Sequence, residues 1–410
     1  MAHSAGPGEF RFRSLIIPVY LPTLLFAIGQ GAVIPILPLF ALELGASVAV
    51  AGAMVAVRGI GTMMFDIPSG VMVSKLGERG AMLTGSLGLA IVGVGAALSP
   101  SVWVFAPLVF LMGCSWAIWL LARLTFATEI SPPEYRGRVL SLLGGTNRIG
   151  NFAGPFLGGF LGLFFGLEAA FIMQAVLALA AAALMYLVVK EPARAVQHDE
   201  QSVHARVFAV MKEHRRIFAT AGTVTVAIGV LRTARQAVIP LWGDHVGLDA
   251  AQVGIIFGLS SALDMTLFYP VGVIMDRLGR KWAAVPCLLT MSAGMIMIPL
   301  TGGFAALLVA SLITGFGNGL GSGINMTLGA DFSPPDARGE FLGVWRLVGD
   351  VGTAGGPLVV SGITGVATLG TASIATGGIG IVGALIMIFL VEEPRKRIQE
   401  VRERQTSAGP

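Results

Sequence analysis

Apolar runs long enough to cross a bilayer recur along this chain, separated by short polar intervals. Spanning a membrane takes about 20 mostly apolar residues in a helix. Runs of that kind fall at 15–42, 48–73, 80–99, 103–127, 138–165 and 168–189, then at 217–242, 250–275, 282–301, 303–329, 340–366 and 370–391. In lipid every backbone N–H and C=O must be satisfied within the segment or by a closed barrel. Segments of this length, rich in Ala, Leu, Val and Gly, predict helices rather than barrel strands. Their many glycines suit close helix–helix approach.

The second set of six repeats the first. A shift of 202 residues lays Gly70-Val-Met-Val-Ser74-Lys75-Leu-Gly77-Glu78-Arg79 on Gly272-Val-Ile-Met-Asp276-Arg277-Leu-Gly279-Arg280-Lys281. The same shift lays Ser131-Pro132-Pro133-Glu134-Tyr135-Arg136-Gly137 on Ser333-Pro334-Pro335-Asp336-Ala337-Arg338-Gly339. It also matches Pro38 with Pro240, Gly113 with Gly315, Gly154-Pro155 with Gly356-Pro357, and Glu191-Pro192 with Glu393-Pro394. The expected fold is an all-α membrane protein with 12 transmembrane helices, in two six-helix bundles at 14–189 and 217–391. A tail at 1–13, a charged central loop at 190–216 and a basic tail at 392–410 complete the chain.

Composition agrees: the 410 residues are 55% apolar and only 12% charged, with a mean hydropathy of +0.81. Soluble proteins carry about 25% charged residues. Six of the 27 Lys and Arg residues lie inside predicted helices. With the N-terminus inside, the other 21 all fall in cytoplasmic loops and tails, and the external loops hold only Glu43, Glu168, Asp244 and Asp249. That is the positive-inside asymmetry. It accounts for the net charge of +4 without a nucleic-acid partner, and it predicts a cell (inner) membrane protein with both termini cytoplasmic. Arg11 and Arg13 precede an apolar run without a small-residue cleavage site, so that run is expected to remain as the first helix. Cys114 and Cys287 are not repeat equivalents and suggest no disulfide. His198, His204 and His214 match no ligand spacing, so neither metal nor cofactor is expected. Trp103, Trp242 and Trp282 fall near predicted interfaces and read as anchors.

Two six-helix repeats with these loops resemble the major facilitator superfamily of secondary transporters, over residues 14–391. The most specific element is the loop of Gly272, Asp276, Arg277, Gly279, Arg280 and Lys281; its first copy holds Gly70, Ser74, Gly77 and Arg79. The resemblance implies a latch closing one side of the protein. Its acid faces the N-terminus of a neighbouring helix, where the dipole favours negative charge, and its bases reach helix-end acids, here Glu129 and Asp331. Ser74 replaces the acid and Glu78 occupies a usual base position, so the first latch is expected to be the weaker, with Ser74 accepting a hydrogen bond from a helix end. Gly150, Gly154, Pro155, Gly158 and Gly159 in the fifth segment, with Ile28-Gly29 and Pro35-Ile-Leu-Pro38 in the first, resemble the drug:proton antiporter branch. A packing groove explains the glycines equally well. The arginine expected before Gly113 is absent, with Leu108 and Val109 standing there.

Nine ionisable residues lie within the segments, and each is costly in lipid unless it faces protein or water. A rise of 1.5 Å per residue from the loops puts Arg148 and Asp264 about 18 Å deep, and Arg346 and Asp66 about 12 Å deep. Superfamily architecture implies seams pairing segments 5 with 8 and 2 with 11, hence Arg148–Asp264 and Arg346–Asp66 pairs, with Asp350 sharing Arg346 or reaching Arg58. Static pairs that fix the bundle are the alternative. It also implies that segments 1, 4, 7 and 10 line a central cavity, which would hold Gln30, Trp116, Trp119, Arg123, Arg232, Arg235, Asn318 and Asn325. Surplus arginine there favours an anionic or electron-rich substrate, and the two Trp residues would stack on a flat one.

The expected protein is therefore no enzyme. It is a monomeric antiporter of the efflux or multidrug-resistance kind, exporting a small organic compound, anionic or amphipathic, in exchange for protons. Asp66, Asp264 and Asp350 are its candidate proton carriers. A proton-coupled symporter or uniporter for an organic anion is the alternative.

Overall fold

The structure, a computed structural model, describes residues 15–188, 209–334 and 337–393. His198, His204, Glu191-Pro192 and the rest of 189–208, the tail 1–13, and Pro394 with the residues after it lie outside the described residues. Every described secondary-structure element is helical. A π turn, Ile16–Tyr20, leads into α1 (Leu21–Glu43); α2 (Val48–Ala97), α3 (Val102–Glu129), α4 (Arg136–Phe165) and α5 (Glu168–Val188) follow. After the central loop come α6 (Thr223–His245), α7 (Ala250–Arg277), α8 (Lys281–Met297), α9 (Phe304–Leu320), α10 (Ile324–Phe332), α11 (Arg338–Val366) and α12 (Leu369–Phe389).

Among the described residues, nine helical stretches are long and apolar enough to cross a membrane. One of them, α2, carries two predicted segments joined at Gly77, which takes φ 72°. Its repeat equivalent Gly279 takes φ 108°, and here the chain breaks cleanly between α7 and α8. Left-handed backbone of this kind favours glycine. α4 and α11 are not among the nine, because Arg148, Asn151, Arg346 and Asp350 lower their hydropathy.

The tenth segment departs from the continuous helix expected. α9 ends at Leu320 and α10 restarts at Ile324, with Gly323 at φ 79°. Its repeat counterpart, Trp119-Leu120-Leu121, lies inside unbroken α3. Two glycines account for the difference, and the Arg232 Nη2 donates to the freed Gly321 carbonyl at 2.7 Å.

Local signals set the helix ends. Asp249 caps α7 in a reciprocal capping box with Gln252, at 2.8 and 3.0 Å. Its repeat equivalent Ser47 accepts from Val50 N at the start of α2, at 3.3 Å.

By contacts the chain divides into two compact units, residues 1–34 with 60–196, and residues 35–59 with 197–410. In the second unit the Ser361 hydroxyl donates to Ala49 O at 2.7 Å, and Gly52 lies against Leu241 and Val360. These contacts place residues 35–59 with the later helices.

Trp242 is not the interface anchor predicted. It is buried, and its indole donates to Thr301 O at 3.2 Å, which satisfies the ring nitrogen inside the unit. Trp103 and Trp282 are exposed.

Candidate functional site

The 272–281 loop is clamped from several sides within the second unit. The Arg280 Nε donates to Asp331 Oδ2 at 2.6 Å and its Nη2 reaches Oδ1 at 3.4 Å, while Nη1 donates to Met275 O at 2.8 Å. Both charged side chains are largely buried, at 13% and 12% exposure. The Asp331 partnership expected from the loop pattern is thus present in the geometry.

The acid at a helix N-terminus is a different one. Asp276 is exposed and makes no hydrogen bond with a described residue. Glu393 takes the role: its carboxylate accepts from Arg280 N at 2.8 Å and Lys281 N at 3.1 Å, capping α8. Negative charge here satisfies orphan donors and complements the dipole. A Cβ on Gly279 would meet the Glu393 carboxyl at 2.9 Å. In the sequence Glu393 stands out only as the repeat match of Glu191.

In the first unit the corresponding loop keeps its shape and loses its charge pairing. The Arg79 Nη2 donates to Tyr186 O at 2.6 Å, as Lys281 Nζ donates to the repeat-equivalent Ile388 O at 2.8 Å. Where the second unit has Arg280 and Asp331, the first has Glu78 and Glu129, which interact as like charges. The Ser74 hydroxyl corrects a further expectation. It donates to Val71 O of its own helix at 2.9 Å instead of serving a neighbouring helix end. Glu78→Arg is expected to stabilise the protein modestly, by up to about 1 kcal/mol for an exposed pair. An unchanged or lower unfolding midpoint in detergent would count against it.

The predicted cavity and charge-pair residues distribute over both units. Gln30, Asp66, Trp116, Trp119, Arg123 and Arg148 lie in the first. Arg58, Arg232, Arg235, Asp264, Asn318, Asn325, Arg346 and Asp350 lie in the second. Arg148 and Asp264 therefore belong to different units, as do Asp66 and Arg346, and their pairings stay proposals. Within α11, Arg346 Nε stands 3.9 Å from Asp350 Oδ2, one of the two arrangements their spacing allowed.

The second unit gathers the remaining charges of α6 and α7. The Asn318 amide donates to Asp264 Oδ2 at 2.7 Å. Arg235 attracts Asp264 electrostatically, and its Nη1 donates to the Ser260 hydroxyl at 3.3 Å. That hydroxyl donates in turn to Ser311 O at 2.9 Å. Ser260 and Ser311 were not singled out from sequence, because small hydroxyl residues carry no pattern of their own. Asn325 gives its backbone carbonyl to Trp345 Nε1 at 2.8 Å.

In the first unit, Trp119 is wholly buried and stacks on Phe26, with ring centroids 3.9 Å apart at an interplanar angle of 1°. The Arg123 guanidinium lies over the same indole, 4.6 Å from its centroid. Two groups so close to one ring must take opposite faces, so Trp119 has no face left for a substrate. This corrects its expected role; Trp116 alone of the two remains partly exposed.

The glycines of α4 meet α1 backbone to backbone. A Cβ on Gly154 would stand 2.6 Å from Ala32 N and 2.7 Å from Gly31 C. One on Gly150 would meet Ala27 and Ile28, and one on Gly158 would meet Ala32. Gly159 and Pro155 are buried in the same helix. The repeat builds the same joint in the second unit, where Gly352 and Gly356 of α11 lie against Val226 and Val230.

Repeated helical halves with a basic loop at matching positions define a multi-pass membrane protein with a secondary-transporter fold. The fold matches a solved structure of a POT family transporter in complex with a thioalcohol-conjugated peptide, with a TM-score of 0.76 at 12% identity, over 92% of this chain and 95% of that one. The sequence model of the Major Facilitator Superfamily matches residues 19–236 and again 221–409. The chain belongs to that superfamily, whose members are transporters and not enzymes. Among curated relatives, the multidrug resistance protein MdtH of Enterobacter sp. (strain 638) is 23% identical over 343 residues, 81% of this chain and 83% of that protein. The hexuronate transporter of Bacillus subtilis (strain 168) is 29% identical over 184 residues, 44% of this chain and 43% of its own length. Less than half of the hexuronate transporter is therefore spanned.

Proposed function

We propose that the protein is a proton-coupled secondary transporter, working by alternating access in the cell membrane, for a small organic anion. The observation that carries this reading is the Asp264 carboxyl. It sits within a spanning helix, held by Asn318 at 2.7 Å and attracted to Arg235. A carboxylate there and an anionic substrate compete for the same guanidinium. Protonating Asp264 removes the competitor and leaves Arg235, with Arg232 one turn away, to the substrate anion. Proton and anion then bind together, which favours co-transport. Similarity to a protein named as a hexuronate transporter is in keeping with an anionic substrate.

Export of an anionic or amphipathic compound in exchange for protons is the second reading. Its support is the similarity to MdtH and the Gly150–Gly159 pattern. That pattern weighs less once its glycines are seen to accommodate α1. Monomeric function and cytoplasmic termini belong to both readings.

Proteoliposomes given an imposed pH gradient and a panel of radiolabelled carboxylates, a hexuronate among them, test the proposal against protein-free vesicles. Co-transport predicts accumulation when the outside is acidic; accumulation driven by an acidic interior means exchange. Asp264→Asn keeps an acceptor for Asn318 but cannot release a proton. It is expected to reduce gradient-driven accumulation to the equilibrium level while labelled-for-unlabelled exchange continues. Retained accumulation in this variant would remove Asp264 from the coupling step.

A further inference from the structure

We propose that the first unit carries a receptor for an aromatic carboxylate, with Arg123 holding the carboxylate and Trp116 the ring. The inference rests on the anion-transport reading and names the substrate class. Arg123 is only 7% exposed, yet its Nε and Nη1 are shielded from the surface and have no acceptor among the described residues. The Trp119 Nε1, one turn away on α3, is a third buried donor without a partner among the described residues. An unmet donor inside a membrane protein costs several kcal/mol, far more than at a wet surface. Three such donors on neighbouring turns of one helix suit an acceptor brought by a ligand.

The walls say what kind of molecule brings that acceptor. Phe26 of α1 and Arg123 take the two faces of Trp119, a sandwich that fixes the guanidinium and costs it little rotamer freedom on binding. Trp116 stands beside both rings, with centroids 5.7 Å from Phe26 and 5.8 Å from Trp119. Unlike Trp119 it is partly exposed, so it offers a ready π surface next to the donors. Between their end residues Glu43 and Glu129, α1 and α3 carry no acid, so a cationic ligand finds no counter-charge on either helix. Donors for an anion beside a flat apolar shelf fit a planar acid better than a saturated one.

Binding of radiolabelled 2-naphthoate to the full chain in lipid nanodiscs tests this, with decalin-2-carboxylate, 2-naphthamide and 2-naphthylmethylamine as competitors. On wild type, naphthoate is expected to compete better than the amide or the amine by about tenfold or more, as for a charge-assisted hydrogen bond. It is expected to exceed the saturated acid by about twofold to tenfold, as for an aromatic pair. Arg123→Gln should remove the preference for acid over amide, and Arg123→Lys should restore part of it. Trp116→Leu should remove only the preference for the ring. Each variant is first shown to be monodisperse with an unchanged unfolding midpoint. If Arg123→Gln destabilises the protein, the decision passes to Arg123→Lys and Trp116→Leu.

Equal competition by acid, amide and amine on wild type overturns the proposal, as does an acid preference that survives Arg123→Gln. The transport reading is judged separately in proteoliposomes. Gradient-driven uptake of non-aromatic acids without naphthoate binding sinks only the receptor, and selective naphthoate binding without any gradient-driven uptake sinks only the transport reading.

Discussion

Gly154→Val is expected to leave little or no folded protein. The added Cβ would arrive 2.6 Å from Ala32 N and 2.7 Å from Gly31 C, and both are backbone atoms of α1. A side chain in the way can rotate; a helix backbone has to move as a body. Extra volume in a well-packed interior costs about 1–3 kcal/mol when neighbours can relax, and more when they cannot. Here the whole α1–α4 contact would separate, because Gly150 and Gly158 lie in the same stripe one turn to either side. Gly145→Val is the matched control. It adds the same atoms to the same helix at a position where nothing stands within 4 Å. Size-exclusion profiles of the two variants, expressed side by side, check the prediction. A normal monodisperse peak for Gly154→Val would show that α1 yields more easily than its backbone contact implies.

Arg280→Ala has the second largest expected effect. It removes both guanidinium bonds to Asp331 and the one to Met275 O, and leaves the Asp331 carboxylate, 12% exposed, without its cation. Breaking one side of a buried pair costs about 3–5 kcal/mol, mostly from the charge left behind. Arg280→Ala combined with Asp331→Ala removes that stranded charge and is expected to recover much of the loss. Unfolding midpoints of the single and double variants decide the matter. A double variant no better than the single would place the cost in the lost Met275 bond or in packing instead.

Much of this architecture is legible in the sequence because the chain states it twice. The shift that aligns Gly77 with Gly279 also aligns two left-handed backbone positions, and Arg79 and Lys281 donate to carbonyls at matching places. Apolar length located the helices, since lipid leaves the backbone few alternatives. What stayed hidden depends on direction around a helix axis. Trp116 and Trp119 look interchangeable at their spacing, yet one is sealed between Phe26 and Arg123 and the other is partly open. Trp242 sits at the right depth for an interface anchor and turns inward to Thr301 O. The break after Leu320 is marked by Gly321-Ser322-Gly323 in the second copy alone, since Trp119-Leu120-Leu121 stands at the matching place. Glu393 was visible as a match and invisible as a cap, because capping depends on a chain end returning to a loop more than a hundred residues away.

The short piece Ile324–Phe332 has mechanical meaning. Asp331, near its far end, is tied to Arg280, while Asn318, tied to Asp264, sits on the other side of the interruption. A rigid rod would transmit any tilt of the basic loop straight to the half-buried Asp264 carboxyl. With a joint at Gly321–Gly323, the lower fragment can swivel while the upper shaft keeps its grip on Asp264. The Arg232 Nη2 bond to Gly321 O ties that interruption to α6 at 2.7 Å.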